Sequence, residues 1–175
     1  MAVFTPVTET EARGFLGGYD LGDLHALEPI AEGIQNTNYR VETGQGRFVL
    51  TLFEERTDAD VLPFCLGLTA HLARRGFPAA TPMADRTGRW LGRLNGRDAA
   101  LVEWKPGDWL RAPDIQAQAT AGATLARLHV SGADFPEQRT NPLGPVAWRA
   151  LAERCDHAAK GEDWRLLDRV KAALD

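Results

Sequence analysis

The sequence predicts an α+β fold: an antiparallel sheet with one inserted helix, followed by helices alone. Three observations carry this. Over 47–54, Phe48, Leu50 and Leu52 alternate with Val49, Thr51 and Phe53, the period of a strand covered on both faces. A long helical pattern over 58–75 interrupts the strand signals after the third. From residue 113 onward strand signals cease, and helical patterns over 113–130, 145–159 and 163–174 are broken by an irregular stretch over 132–144.

The elements follow in order. Thr8-Glu-Thr-Glu11 is a capping box, so a short helix starts there and stops at Gly17-Gly18. Strands are expected over 27–32, 38–43 and 47–54, joined by a turn at Gly33–Asn38 and a Gly44-Gln-Gly46 turn. The helix over 58–75 has Asp58 or Asp60 as its cap and Val61, Phe64, Leu68 and Leu72 as its apolar stripe. Pro63 sits near its first turn, where a missing N–H costs least, and Arg74-Arg75-Gly76 marks its end. A short strand, an Asp85-Arg-Thr-Gly88 turn and another strand come next, then an Asn95-Gly96 hairpin and a returning strand over 98–104. Lys105-Pro-Gly-Asp108 breaks the pattern, which divides the chain into a sheet lobe, 1–104, and the start of a helical lobe, 105–175. Helices are expected over 113–130, with Ile115, Ala119, Leu125 and Leu128 inward, and over 145–159 and 163–174.

Composition narrows the function. The 175 residues are 44% hydrophobic, enough for a core, and carry a net charge of −4. With a pI near 5.6, the chain lacks the basic balance of a nucleic-acid binder. No apolar run approaches the roughly 20 residues that span a bilayer, so no membrane partner is expected. The start, Met-Ala-Val-Phe-Thr-Pro-Val7, has no basic n-region or long apolar stretch, which suggests a cytoplasmic protein. Cys65 and Cys155 read as buried or half-buried thiols without a disulfide. His25, His71 and His157 show no metal-ligand spacing. No residue pattern fixes an oligomeric state.

The most informative stretch is Ala31-Glu-Gly-Ile-Gln-Asn-Thr-Asn-Tyr-Arg-Val41. Gly and Asn here suit a hairpin turn for backbone reasons alone. They also suit an anion site, with Gly33 allowing close backbone approach and amides supplying donors, though on these residues alone the plain turn is favoured.

Several segments together resemble the homoserine kinases of the aminoglycoside-phosphotransferase-like branch of the protein-kinase-like fold. They are "EGIQNTNYRV", "RFVLTLFEER", "DVLPFCLGLTAHLARRGFPAATPMADRTGRWL", "GATLARLHVSGADFP" and "NPLG", and they reach to about residue 150. The resemblance implies that the Gly33 turn covers the phosphates of ATP, with Asn36, Thr37 and Asn38 as donors. It implies that Val49 faces the adenine and that the hinge is Leu101-Val-Glu-Trp-Lys-Pro-Gly107. There the adenine edge would meet the Glu103 carbonyl and the Lys105 N–H. The chain departs from the wider fold at Thr51, where a phosphate-pairing Lys is usual. The partner Glu is also missing from the 61–75 helix, so the ion pair is lost as a unit. The charge would come from Mg²⁺ or from Arg40, Arg47 or Arg56. His129 ends an Ala/Leu-rich helix and is read as structural, not as part of a catalytic loop. The resemblance places the catalytic base and the metal-holding carboxylates after Asp175, so no catalytic or metal-binding residue is assigned in this chain. The implied parent reaction is ATP-dependent phosphorylation of the homoserine hydroxyl. Two alternatives stand beside it: a kinase of the same fold acting on an amino sugar, choline or methylthioribose, and a non-catalytic remnant.

Overall fold

A computed structural model describes residues 4–54, 59–107, 110–142, 144–155 and 161–174. Two compact units are present, Met1–Phe135 and Pro136–Asp175.

The first unit opens with helix α1, Glu9–Leu16. Its capping box forms as the sequence dictates, with Thr8 Oγ1 accepting from the Glu11 N–H and Glu11 accepting from the Thr8 N–H. Three strands follow: β1 Leu24–Pro29, β2 Thr37–Thr43 and β3 Gly46–Phe53. A 3₁₀ turn, Ala59–Val61, leads into α2, Leu62–Arg74. Strands β4, Leu91–Leu94, and β5, Arg97–Glu103, close one antiparallel sheet in the order β1-β2-β3-β5-β4. Asn95 and Gly96 turn the β4–β5 hairpin with φ of 47° and 76°, the paired positive values that a tight two-residue turn needs.

One sheet face is the core. Tyr39, Val41, Phe48, Leu50, Leu52, Ala99 and Leu101 pack with Val7, Ala12 and Leu16 from the α1 side. Packing at the β4 edge is tight. A methyl at Gly92 would stand 2.8 Å from Phe15 Cε2. Strand alternation puts Asn38, Arg40, Val49, Thr51 and Val102 on the other face. The register pairs Asn38 with Thr51, Arg40 with Val49, and Val49 with Val102.

Several boundaries differ from the sequence reading. β1 begins three residues earlier, because a register irregularity between Leu24 and Ala26 lets the chain join β2 sooner. Ile30 still donates to the Asn38 carbonyl, at 2.9 Å, and 31–36 is an open loop. Thr37 and Asn38 belong to β2 itself. The segment after α2 forms an isolated bridge, Pro82 with Val102, where a strand was expected.

α2 is capped by Val61 without a side-chain bond, since the 3₁₀ turn displaces Asp60 from that position. Asp58 lies outside the described residues. Of the expected stripe Leu72 is buried while Val61, Phe64 and Leu68 are half-buried, and the rest of the buried face is Leu62, Leu66 and Ala70. Phe64 meets Phe135 edge-on, with ring centroids 5.5 Å apart. The helix ends in a Schellman motif: Phe77 N–H donates to Leu72 and Gly76 N–H to Ala73, with Gly76 at φ 76°.

α3, Ile115–Gly132, is capped by Asp114. Ile115 and Leu125 are exposed, contrary to the inward assignment, as is Ala119. Among the described residues its close approach to α2 is at its C-terminal end, where a methyl at Gly132 would stand 3.7 Å from Leu72. The second unit is a pair of helices, α4 Pro145–Arg154 and α5 Glu162–Ala173, tied where Arg149 Nη2 donates to the Leu174 carbonyl. Cys65 and Cys155 are free thiols as expected, but both are exposed, since each lies off the buried face of its helix. Among the described residues no helix is long and apolar enough to cross a membrane.

Candidate functional site

The loop between β1 and β2 and the sheet face beside it form the candidate site. Gly33 holds φ at 124°, a conformation open to Gly and strained for other residues. Ile34 is 90% exposed and packs on nothing in the core, so the loop is not held by apolar burial.

Below the loop, the polar groups sort into two sets. On the outer face, Thr51 Oγ1 donates to Asn38 Oδ1 at 2.8 Å. That bond orients the amide, and Asn38 Nδ2 reaches the Asn36 carbonyl at 3.4 Å with a second N–H to spare. Val49 stands next along the same face, half-buried, opposite Arg40. Arg40 pairs with Glu28 at 2.7 Å, and its Nε is buried without a hydrogen-bond partner.

On the core face the structure corrects the reading of Thr37. Its side chain is fully buried. Its hydroxyl donates to Glu54 Oε1 at 2.8 Å and accepts from the N–H groups of Phe4 and Thr5, at 2.9 and 3.1 Å. One donor and two lone pairs are then used, so the hydroxyl has nothing left for a phosphate. The Thr51 proton is given to Asn38. Asn36 Oδ1 accepts from Glu54 N–H at 3.3 Å.

Glu54 is the residue that the sequence reading missed. Only 9% exposed, it also takes the Thr5 hydroxyl at 3.1 Å and Arg97 Nε at 3.1 Å. A signal existed. Period two along 48, 50, 52 and 54 puts this carboxylate on the core side, where an unpaired charge is costly.

The expected hinge lies where β5 ends. Glu103 N–H donates to the Thr81 carbonyl at 2.8 Å, and Trp104 N–H to the Arg47 carbonyl at 3.1 Å. The Glu103 carboxylate binds Lys105 Nζ at 2.6 Å and the Thr81 hydroxyl at 3.0 Å. Lys105, then burial working against it, then Thr81 set its pKa, which is lowered overall. A shallow cavity of about 290 Å³ opens beside it, lined by Arg47, Phe48, Glu103, Trp104 and Pro106. Arg47 therefore flanks the hinge end, not the loop. Arg56 lies outside the described residues.

Among the described residues no three His, Cys, Asp or Glu side chains gather as a metal site. His71 lies against Phe135 and within 3.1 Å of Asp134, which also binds Arg75, so its surroundings are structural.

Comparison with known proteins gives this geometry a frame. Homoserine kinases from Nitrobacter hamburgensis, Acidiphilium cryptum and Brucella ovis are 43%, 42% and 41% identical to the chain over all of its 175 residues. The match covers 54%, 55% and 54% of those proteins, so the chain spans about half their length. A crystal structure of a spectinomycin phosphotransferase with ADP and spectinomycin superposes with a TM-score of 0.62 at 14% identity. That match covers 90% of this chain and 49% of the other, and it shows the kinase-like fold. A model of the phosphotransferase enzyme family matches residues 26–175, and the chain belongs to that family.

Proposed function

We propose that this chain is the nucleotide-binding part of an ATP-dependent homoserine kinase. The observation that carries the reading is the outer sheet face. An open loop with a glycine at φ 124° leads directly onto Asn38, Thr51 and Val49 in one register, and β5 runs from beside them to the hinge. Relatives with about 43% identity are named homoserine kinases, which supports that substrate.

The residues fit a nucleotide. Val49 and Val102 offer an apolar surface for the base, and the Glu103–Lys105 backbone offers its edge hydrogen bonds. Gly33 and the loop amides receive phosphate oxygens, with the free Asn38 N–H as a side-chain donor. Thr37 is withdrawn from that set except through its backbone. Phosphoryl transfer in such folds is positioning plus charge stabilisation, and Mg²⁺ would supply part of that charge. Among the described residues no three His, Cys, Asp or Glu side chains gather as a metal site, and in this reading their part is to bind and orient the nucleotide. Residues 1–104 serve as the nucleotide lobe and 105–175 as hinge and first part of a helical lobe, acting in the cytoplasm.

Calorimetric titration of the purified chain with ATP, with and without Mg²⁺, tests the site. Saturable one-to-one binding with amide shifts at Gly33 and Asn38 is expected, together with no phosphoryl transfer to homoserine. Absence of saturable binding, or turnover that tracks the purified chain, refutes the proposal. In a longer protein that contains this sequence, a panel of homoserine, amino sugars and choline decides the substrate.

A further inference from the structure

We infer that the segment Phe4–Val7 is a strap that fixes the shape of the 31–36 loop, with Thr37 as the positioning residue through which it acts. This rests on the reading of that loop as the nucleotide site. Thr37 is the first residue after the loop, and its hydroxyl joins the strap's Phe4 and Thr5 N–H groups to Glu54. Glu54 in turn meets the strap again through Thr5, meets the start of β5 through Arg97, and bonds the loop through its own N–H to Asn36 Oδ1. Two more bonds hold the strap down: Val7 N–H to the Tyr39 hydroxyl at 2.9 Å and Asn95 Nδ2 to the Pro6 carbonyl at 2.8 Å.

Packing does not call for this arrangement. Position 37 is fully buried beside an apolar core, where Val would fill the same space and favour the strand as well. A buried hydroxyl and carboxylate are kept at a desolvation cost that complete pairing offsets. What the pairing secures is the exit of the loop. The loop has little apolar anchorage of its own, so these bonds set the direction in which Asn36 and Asn38 leave it. Residues 32 or more positions away in sequence thereby define the site.

The test uses the 175-residue chain with Thr37→Val, Thr37→Ser and Thr5→Val. ATP affinity is measured by calorimetry, and backbone exchange at 33–38 by deuterium uptake without ligand. Thr37→Val should weaken ATP binding about tenfold or more, since several hydrogen bonds go together, and speed exchange in the loop. Thr37→Ser keeps the hydroxyl and should restore both readouts to near the parent. A merely structural role would lower the unfolding midpoint and leave affinity unchanged. If Thr37→Val does not fold, Thr5→Val decides, because it removes one bond and no core atom. An expected loss of about two- to tenfold supports the strap, and unchanged affinity overturns it. A folded Thr37→Val that binds ATP like the parent overturns the strap alone. A parent that binds no ATP overturns the nucleotide reading and the strap with it.

Discussion

Gly33→Ala separates a binding loop from a plain turn. A methyl at Gly33 would find its nearest neighbour, Asn38 Nδ2, at 3.8 Å, which is ordinary contact distance. Steric clash is therefore absent, and the whole perturbation is the φ of 124°. Holding an L-residue in such a region costs about 1–3 kcal/mol. The loop is exposed from Ala31 to Gln35, so the free protein can relax it without disturbing the core. The unfolding midpoint should then fall by less than the full strain implies. Bound nucleotide would need the original loop shape, and the strain would reappear as lost affinity, about 5- to 150-fold in Kd. Calorimetry with ATP, and thermal unfolding with and without ATP and Mg²⁺, read the two effects separately. The ATP-induced rise in the midpoint of the parent should shrink in the variant. A variant that loses stability yet keeps the parent's affinity and its ATP-induced shift would show that Gly33 serves the turn and nothing else.

Two further outcomes follow from named bonds. Thr51→Ala frees the Asn38 amide from its orienting bond and should weaken ATP binding about tenfold or less, the worth of one neutral hydrogen bond; a thousandfold loss in calorimetry would show that Thr51 does more. Asp85 is held down to a pKa of about 2, first by the Thr87 hydroxyl and then by the Arg89 N–H, below the ordinary value of 3.8. A carboxyl depressed on folding contributes stability above its unfolded value that is lost as pH falls through the folded one. Asp85→Asn should therefore lower the midpoint at pH 5 and narrow its gap to the parent between pH 4 and 2, and a constant gap across that window would refute the assignment.

The fold was legible where local chemistry and tertiary packing agree. The Thr8–Glu11 capping box, the Asn95-Gly96 turn and the 47–54 alternation each fix a backbone shape over a few residues, and all three are present. Boundaries failed where long-range pairing decides, as in β1, whose register depends on a partner strand rather than on its own residues. Burial failed in part on α2 and on α3. Apolar spacing gives a face but not its neighbour, and the partners of Ile115 and Leu125 are absent among the described residues. The family resemblance is what proposes the site, and the register puts Val49, Thr51 and Asn38 on one surface. Thr37 was misread because it neighbours two Asn residues in a polar turn motif, while strand alternation turns its side chain to the opposite face. Glu54 went unread because its partners come from residues 5, 37 and 97, which no local window joins.

The neutral Thr51–Asn38 pair sets the electrostatics of the proposed site. Where the wider fold sets a cation from β3 against a carboxylate on the following helix, this chain sets Thr51 against Asn38, and α2 contains no Glu. The polar link thus runs within the sheet, from β3 to β2, and no ion pair between these positions joins α2 to the site. A lone Lys at position 51 would be a half-buried charge without its carboxylate, which is why losing both members costs less than losing one. Among the described residues the cations of β2 and β3 on that face are Arg40, which binds Glu28 yet keeps an unsatisfied Nε, and Arg47, which stands opposite Glu42. On the proposed reading, the surface carries little net charge before a nucleotide arrives, and phosphate recognition falls mainly to oriented N–H groups. On that reading orientation is the quantity that binding depends on, and the Thr51–Asn38 bond and the Thr37–Glu54 network are the two sets of contacts proposed to supply it.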